Sequence, residues 1–66
     1  MTYELAGLVF TFTQNASGGV IDITTPDIPV GPLITIPSYV LHFDPALTVA
    51  GAQQLVTDLL TMLGLI

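Results

Sequence analysis

Three residues in the middle of the chain have the side-chain types of a nucleophilic catalytic site. Ser38, His42 and Asp44 would supply a hydroxyl nucleophile, a general base and a carboxylate that orients the base. On a strand, His42 and Asp44 would point to the same face because they are two residues apart. Their spacing matches no nucleophile motif, and a chain of 66 residues has little room for a substrate pocket. We therefore interpret His42 as a strand-end histidine hydrogen-bonded to a neighbouring turn, and we expect no enzymatic activity.

Three aspartates, Asp22, Asp27 and Asp44, are the candidate ligands for a metal ion, and they would converge only if their loops meet. Calcium takes about six to eight oxygen ligands, and no loop here has the alternating acidic residues of an EF-hand. Cysteine is absent, which removes disulfides and thiolate metal sites together. We expect no metal and no cofactor, and we interpret the three aspartates as solvated turn carboxylates.

The charge of the chain excludes several classes of partner. Lysine and arginine are both absent, and five acidic residues give a formal charge of −5. Without a basic patch we expect no direct binding of nucleic acid and no binding of anionic lipid. The negative charge is compatible with an alternative function, in which the protein is an adaptor or inhibitor that docks on a basic protein.

The composition predicts a subunit that hides much of its surface in an assembly. Hydrophobic residues make up 52% of the chain, charged residues make up 8%, and the mean hydropathy is +0.85. Ordinary soluble domains carry about 25% charged residues. So short a chain has a marginal core, and without disulfides or metals the remaining source of stability is oligomerisation or burial in a larger assembly.

The clearest element is an amphipathic helix over residues 48–63. Its apolar residues recur at three- and four-residue spacing, which is typical of a helix that packs through one face. We favour Thr48 as N-cap, with Leu47 as the preceding staple residue, and Gly64 as the residue that ends the helix. The rival start has Asp44 as cap and Pro45 at the first helical position.

The residues before the helix predict short strands and turns. Residues 2–13 are predicted to form a long strand in which the apolar positions change parity at Gly7. We expect a bulge or bend there, or else two halves that face different partners. The turn-forming residues 14–19 lead into a strand over 20–25, with Ile21 and Ile23 facing inward and antiparallel pairing to residues 8–13.

The prolines of residues 26–32 predict an extended surface or edge segment. Residues 33–36 and 39–43 follow as one strand broken at Pro37 or as two short strands, and Asp44–Pro45 predicts a turn or the start of the helix. The fold class is therefore α+β. A small antiparallel sheet of three to four strands packs against one C-terminal helix in a single domain over residues 1–66.

Aromatic residues and the excess apolar surface of the helix give the candidate interface. We assign it to eight residues: Phe10, Phe12, Tyr39, Phe43, Leu59, Met62, Leu65 and Ile66. The four aromatic residues of this set, Phe10, Phe12, Tyr39 and Phe43, could equally belong to the core. The apolar residues of the helix are too widely spread for one sheet to cover.

These observations favour a non-enzymatic structural subunit that self-associates or decorates a larger assembly, for example a viral or phage particle. The alternatives are the acidic adaptor and a carrier of small apolar ligands formed by dimerisation. Residues 55–66 are too short and too polar for the ~20-residue membrane span. No signal peptide is evident. We expect a cytoplasmic protein or part of an assembled particle.

Overall fold

The computed structural model describes residues 1–66 and shows six strands followed by one helix. The elements are β1 (Thr2–Leu5), β2 (Leu8–Gln14), β3 (Val20–Thr24), β4 (Ile28–Pro29), β5 (Thr35–Ile36), β6 (Val40–Leu47) and α1 (Val49–Met62). The predicted α+β class is confirmed. The chain contains no helix with the length and apolarity needed to cross a membrane.

Four strands form the main sheet in the order β1-β2-β3-β6, and every neighbouring pair is antiparallel. β4 and β5 form a separate two-stranded antiparallel sheet, in which Ile28 lies opposite Ile36. This small sheet occupies the connection between β3 and β6. The main sheet consequently ends at β1 on one side and at β6 on the other.

The first strand pair replaces the single long strand predicted over residues 2–13. Ala6 and Gly7 both have positive φ angles, of 55° and 77°, and form a two-residue turn that places Leu5 opposite Leu8. Positive φ at both central positions is the requirement of the type I′ hairpin turn. The change of parity at Gly7 therefore marks a chain reversal and not a bulge. Across a two-residue turn an odd-numbered residue lies opposite an even-numbered one, as Leu5 does opposite Leu8, so residues of opposite parity share one face of the sheet.

The predicted hairpin between β2 and β3 is confirmed, with one change in the residues that face inward. Asn15 Oδ1 accepts hydrogen bonds from the backbone N–H groups of Ser17 and Gly19, at 3.0 and 2.9 Å, and so holds the loop. The register of β3 shifts between Val20 and Asp22. Val20 is buried where Ile21 was expected, since the irregularity reverses the alternation of faces.

The strand β6 runs through the predicted turn at Asp44–Pro45 and ends at Leu47. Its pairing with β3 jumps from His42–Asp22 to Leu47–Val20, so the intervening residues of β6 bulge out of the ladder. Pro45 is tolerated there for two reasons. β6 is an edge strand, and the bulged residues have no paired residue in β3, so the missing N–H of proline is not needed. The alternative helix start at Asp44 is therefore wrong. β5 is a separate short strand that pairs with β4, which agrees with the two-strand version of the prediction.

Helix α1 has both predicted caps. Thr48 Oγ1 accepts a hydrogen bond from Gly51 N at 3.0 Å. At the other end Gly64 has a φ of 76°, Gly64 N donates to Thr61 O at 3.1 Å, and Leu65 N donates to Leu60 O at 2.9 Å. This pair of bonds is the Schellman motif, which satisfies carbonyls that the helix leaves unpaired.

The core lies between one face of the main sheet, the small sheet and the helix. Its apolar members are Phe10, Phe12, Val20, Ile23, Ile28, Ala52, Val56 and Leu60, each at most 1% exposed. Thr25 is the buried polar residue, at 2% exposure. Helix residues 52, 56 and 60 supply the contact with the sheet at four-residue spacing, as expected for one face of an amphipathic helix.

Candidate interaction surface

The residues that suggested a catalytic site do not assemble into one. His42 Nδ1 lies 2.7 Å from Asp22 Oδ1, across the β3–β6 pairing, and this replaces the expected bond to a neighbouring turn. The Ser38 hydroxyl donates to the Thr25 carbonyl, so it is not directed at the histidine. Asp44 takes no part in the His42 contact.

The His42–Asp22 pair lies on the open face of the sheet, since its neighbours Ile23 and Leu41 face the core. The side chains are 70% and 29% exposed. An ion pair at such a site contributes about 0–1 kcal/mol, and only while the histidine is protonated. The pair is best described as an exposed cross-strand contact between the paired residues Asp22 and His42 of β3 and β6.

The three aspartates considered for calcium are also separated. Asp22 contacts His42, while Asp27 Oδ1 accepts a hydrogen bond from Ser38 N at 2.8 Å. No three acidic or histidine side chains come together at a distance suited to one ion. Asp27 instead ties the segment after β3 to the segment before β6.

The surface of the protein contains an apolar groove with a volume of 480 Å³. Five of its eight lining residues are hydrophobic. The lining residues, which define the apolar groove, are Tyr39, Leu41, Gly51, Gln54, Leu55, Asp58, Leu59 and Met62. The groove runs between the start of β6 and the side of helix α1 that extends past this edge of the sheet. The groove stays open because no further strand follows β6 on that side.

The groove contains three residues of the predicted interface, and the others lie elsewhere. Tyr39, Leu59 and Met62 line it, and the Met62 side chain is 85% exposed. Phe43 and Leu65 are half-buried against the core, and Ile66 is 51% exposed at the C-terminus.

Phe10 and Phe12 do not belong to the candidate interface. They are 0% and 1% exposed, so a partner cannot contact them. Both face the helix from β2, the strand next to the centre of the sheet, and this is why they are covered. Of the two roles considered for these aromatic residues, core and interface, Phe10 and Phe12 have the core role.

Sequence reasoning missed a second apolar surface, the apolar tip, formed by residues 31–34 between β4 and β5. Leu33 is 96% exposed and Ile34 is 63% exposed. The backbone of the tip is held by hydrogen bonds to Ile34 O from Val30 N and Gly31 N, at 3.0 and 3.3 Å. Two aliphatic residues directly after a Pro-Val-Gly-Pro segment are the signal that was available, since such a segment predicts a turn.

The opposite face of the sheet is polar by comparison. Thr11 lies between Thr2 and Thr24 in one row, and Thr13 pairs with Asp22 in the next. Val9 and Val40 are its exposed aliphatic residues, at 45% and 58%. The most exposed large hydrophobic residues, Leu33, Met62 and Ile34, lie in the tip and the groove.

The total surface area of the monomer is that expected for a folded chain of its mass. The chain exposes 4040 Å², and a folded monomer of 6.9 kDa is expected to expose about 4000 Å². The exposed apolar residues are therefore not a sign of an incompletely closed core. These apolar residues remain on the surface of the completely folded chain.

Comparison with protein-family models, with curated proteins and with solved structures finds no match for this chain. Its geometry and composition alone carry the functional argument.

Proposed function

We propose that this protein is a non-enzymatic structural subunit that self-associates or decorates a larger assembly, such as a viral or phage particle, in the cytoplasm or within the assembled particle. The observation that carries the proposal is the uncovered apolar groove between β6 and α1 on the folded monomer. An apolar surface that the chain itself leaves uncovered is a candidate contact site.

The energetics favour assembly through repeated weak contacts. Burying a side chain such as Leu33 or Met62 contributes about 1.5–3 kcal/mol, so three such side chains give about 5–9 kcal/mol. Association costs about 4–15 kcal/mol in lost freedom of motion. One contact of this size is therefore weak, and a stable particle requires several contacts per subunit.

A discriminating experiment is sedimentation velocity of the purified chain over a hundredfold range of concentration. We expect species whose masses are multiples of 6.9 kDa and whose proportion rises with concentration. A monomer throughout this range would overturn self-association.

The size of the groove supports a second candidate, a carrier of small apolar ligands. Its 480 Å³ falls in the range of about 300–1,000 Å³ that small-molecule sites occupy. Dimerisation would have to close the groove, since its rim is open to solvent. Native mass spectrometry of the purified protein should then show a bound apolar molecule, and a ligand-free spectrum would rule this candidate out.

A further inference from the structure

We infer that the apolar groove receives the apolar tip of a second copy of this chain, so that subunits join head to tail. This inference rests on the proposed self-association and names the two surfaces that meet. The tip contributes Leu33 and Ile34. The apolar wall of the groove is formed by Tyr39, Leu41, Leu55, Leu59 and Met62.

The groove has room for these side chains. Leu33 and Ile34 together have eight side-chain carbons. At about 30 Å³ each, which is the volume that one water molecule occupies in the liquid, they fill roughly half of the groove. The remaining space accommodates the Pro32 ring and the adjoining backbone.

The tip is suited to docking because little order is lost when it binds. Pro32 restricts its backbone, and the hydrogen bonds to Ile34 O hold the turn in the free chain. A segment that is already fixed avoids much of the entropy cost of association. Leu33 is 96% exposed and no tip residue lines the groove, so the tip does not fill the groove of its own chain.

Charge favours this pairing over a symmetric pairing of two grooves. Every acidic residue repels its counterparts in another copy, because the chain has no lysine or arginine to neutralise them. Two facing grooves would bring Asp58 of each copy toward the other. Residues 28–37, which include the tip, carry no charged side chain, so a tip approaches the acidic rim of the groove without an opposing charge.

A contact between two different surfaces is heterologous. Each copy offers one tip and one groove, so the contact can repeat, and it generates a ring if the rotation closes or a filament if it does not. A closed ring gives every subunit two such contacts, whereas each chain added to an open filament gains only one, so the requirement for several contacts per subunit favours the ring.

The test uses two variants that each remove one surface. Leu33→Asp removes the tip and Met62→Glu removes the groove, and both positions are exposed enough for the fold to persist. We expect each variant alone to be monomeric in sedimentation velocity, with the dissociation constant raised at least about tenfold. At the highest concentration of the series, an equimolar mixture should contain a species of two chains that neither variant forms alone, because the intact tip of Met62→Glu fits the intact groove of Leu33→Asp.

The matched control is Ala16→Asp, which adds the same charge in the exposed β2–β3 loop and should assemble like the unmodified chain. Circular dichroism melting of all variants verifies folding. A Leu33→Asp variant that assembles like the unmodified chain would overturn the head-to-tail contact but leave the proposed function intact. A mixture that stays monomeric would also overturn it. An unmodified chain that never assembles would overturn both.

Discussion

At the scale of single residues, hydrogen bonds between distant segments give several polar side chains roles that their spacing does not reveal. Thr25 is the clearest case, because it is 2% exposed and every one of its polar groups is used. Thr25 N donates to Tyr39 O at 2.9 Å, and Thr25 Oγ1 accepts from Tyr39 N at 3.0 Å. The Ser38 hydroxyl completes this clamp between the end of β3 and the start of β6 by donating to the Thr25 carbonyl.

The clamp predicts a cost for Thr25→Val. Valine keeps the shape of the side chain but leaves the half-buried Tyr39 N–H without its acceptor. We expect the free energy of unfolding to fall by about 1–3 kcal/mol, the cost of an unpaired buried polar group. Urea denaturation measures the change. The control is Thr24→Val on the open face, where the β-branched shape is equally acceptable; equal effects for the two variants would contradict the role of the clamp.

At the scale of elements, the two-residue turn between β1 and β2 is the feature where local preference and structure disagree. Ala6 is the non-glycine residue with positive φ, at 55°, and its side chain is exposed. Left-handed backbone costs an ordinary L-residue about 1–2 kcal/mol, whereas asparagine tolerates it and asparagine–glycine is the preferred type I′ pair.

Ala6→Asn should therefore stabilise the protein. We expect a gain of about 0.5–1 kcal/mol, which for a domain of this size corresponds to a rise in Tm of a few degrees, on the order of 4–8 °C per kcal/mol. Thermal unfolding followed by circular dichroism provides the measurement. Ala16→Asn is the matched control, since Ala16 is equally exposed but does not have positive φ. An unchanged Tm for Ala6→Asn would show that the turn carries no such strain.

At the scale of the whole molecule, the charge of −5 and the apolar surfaces act in opposite directions on assembly. Apolar contact draws copies together, and uncompensated carboxylates push them apart. Repulsion between exposed charges is screened over about 10 Å at 0.1 M salt, while burial of apolar surface is not screened.

Added salt should consequently strengthen self-association. We expect the dissociation constant to fall several-fold between low ionic strength and about 0.2 M sodium chloride, since screening removes repulsion alone. Sedimentation equilibrium at each salt concentration gives the constant. Glu4→Gln, which removes an exposed charge from β1 at the edge of the sheet opposite β6, should reduce the salt dependence by lowering the net charge of each copy. Weaker assembly in salt would instead favour attraction between opposite charges, as for a basic protein partner.

The sequence by itself determined the features that depend on neighbours along the chain. The helix follows from its apolar spacing, and its ends follow from Thr48 and Gly64, because caps are satisfied within one turn. The β2–β3 hairpin follows from the turn residues 14–19.

Only the tertiary structure decided which surfaces are left open. Phe10 and Met62 are both apolar, yet one is buried at the centre and the other is exposed beside an edge strand. Pairing of β6 with β3 joins segments separated by the whole small sheet, and no local signal specifies that partner. The same pairing brings His42 to Asp22 and leaves the groove uncovered. Such a pairing cannot be predicted locally, because contacts between distant strands become favourable only after the chain between them has been ordered.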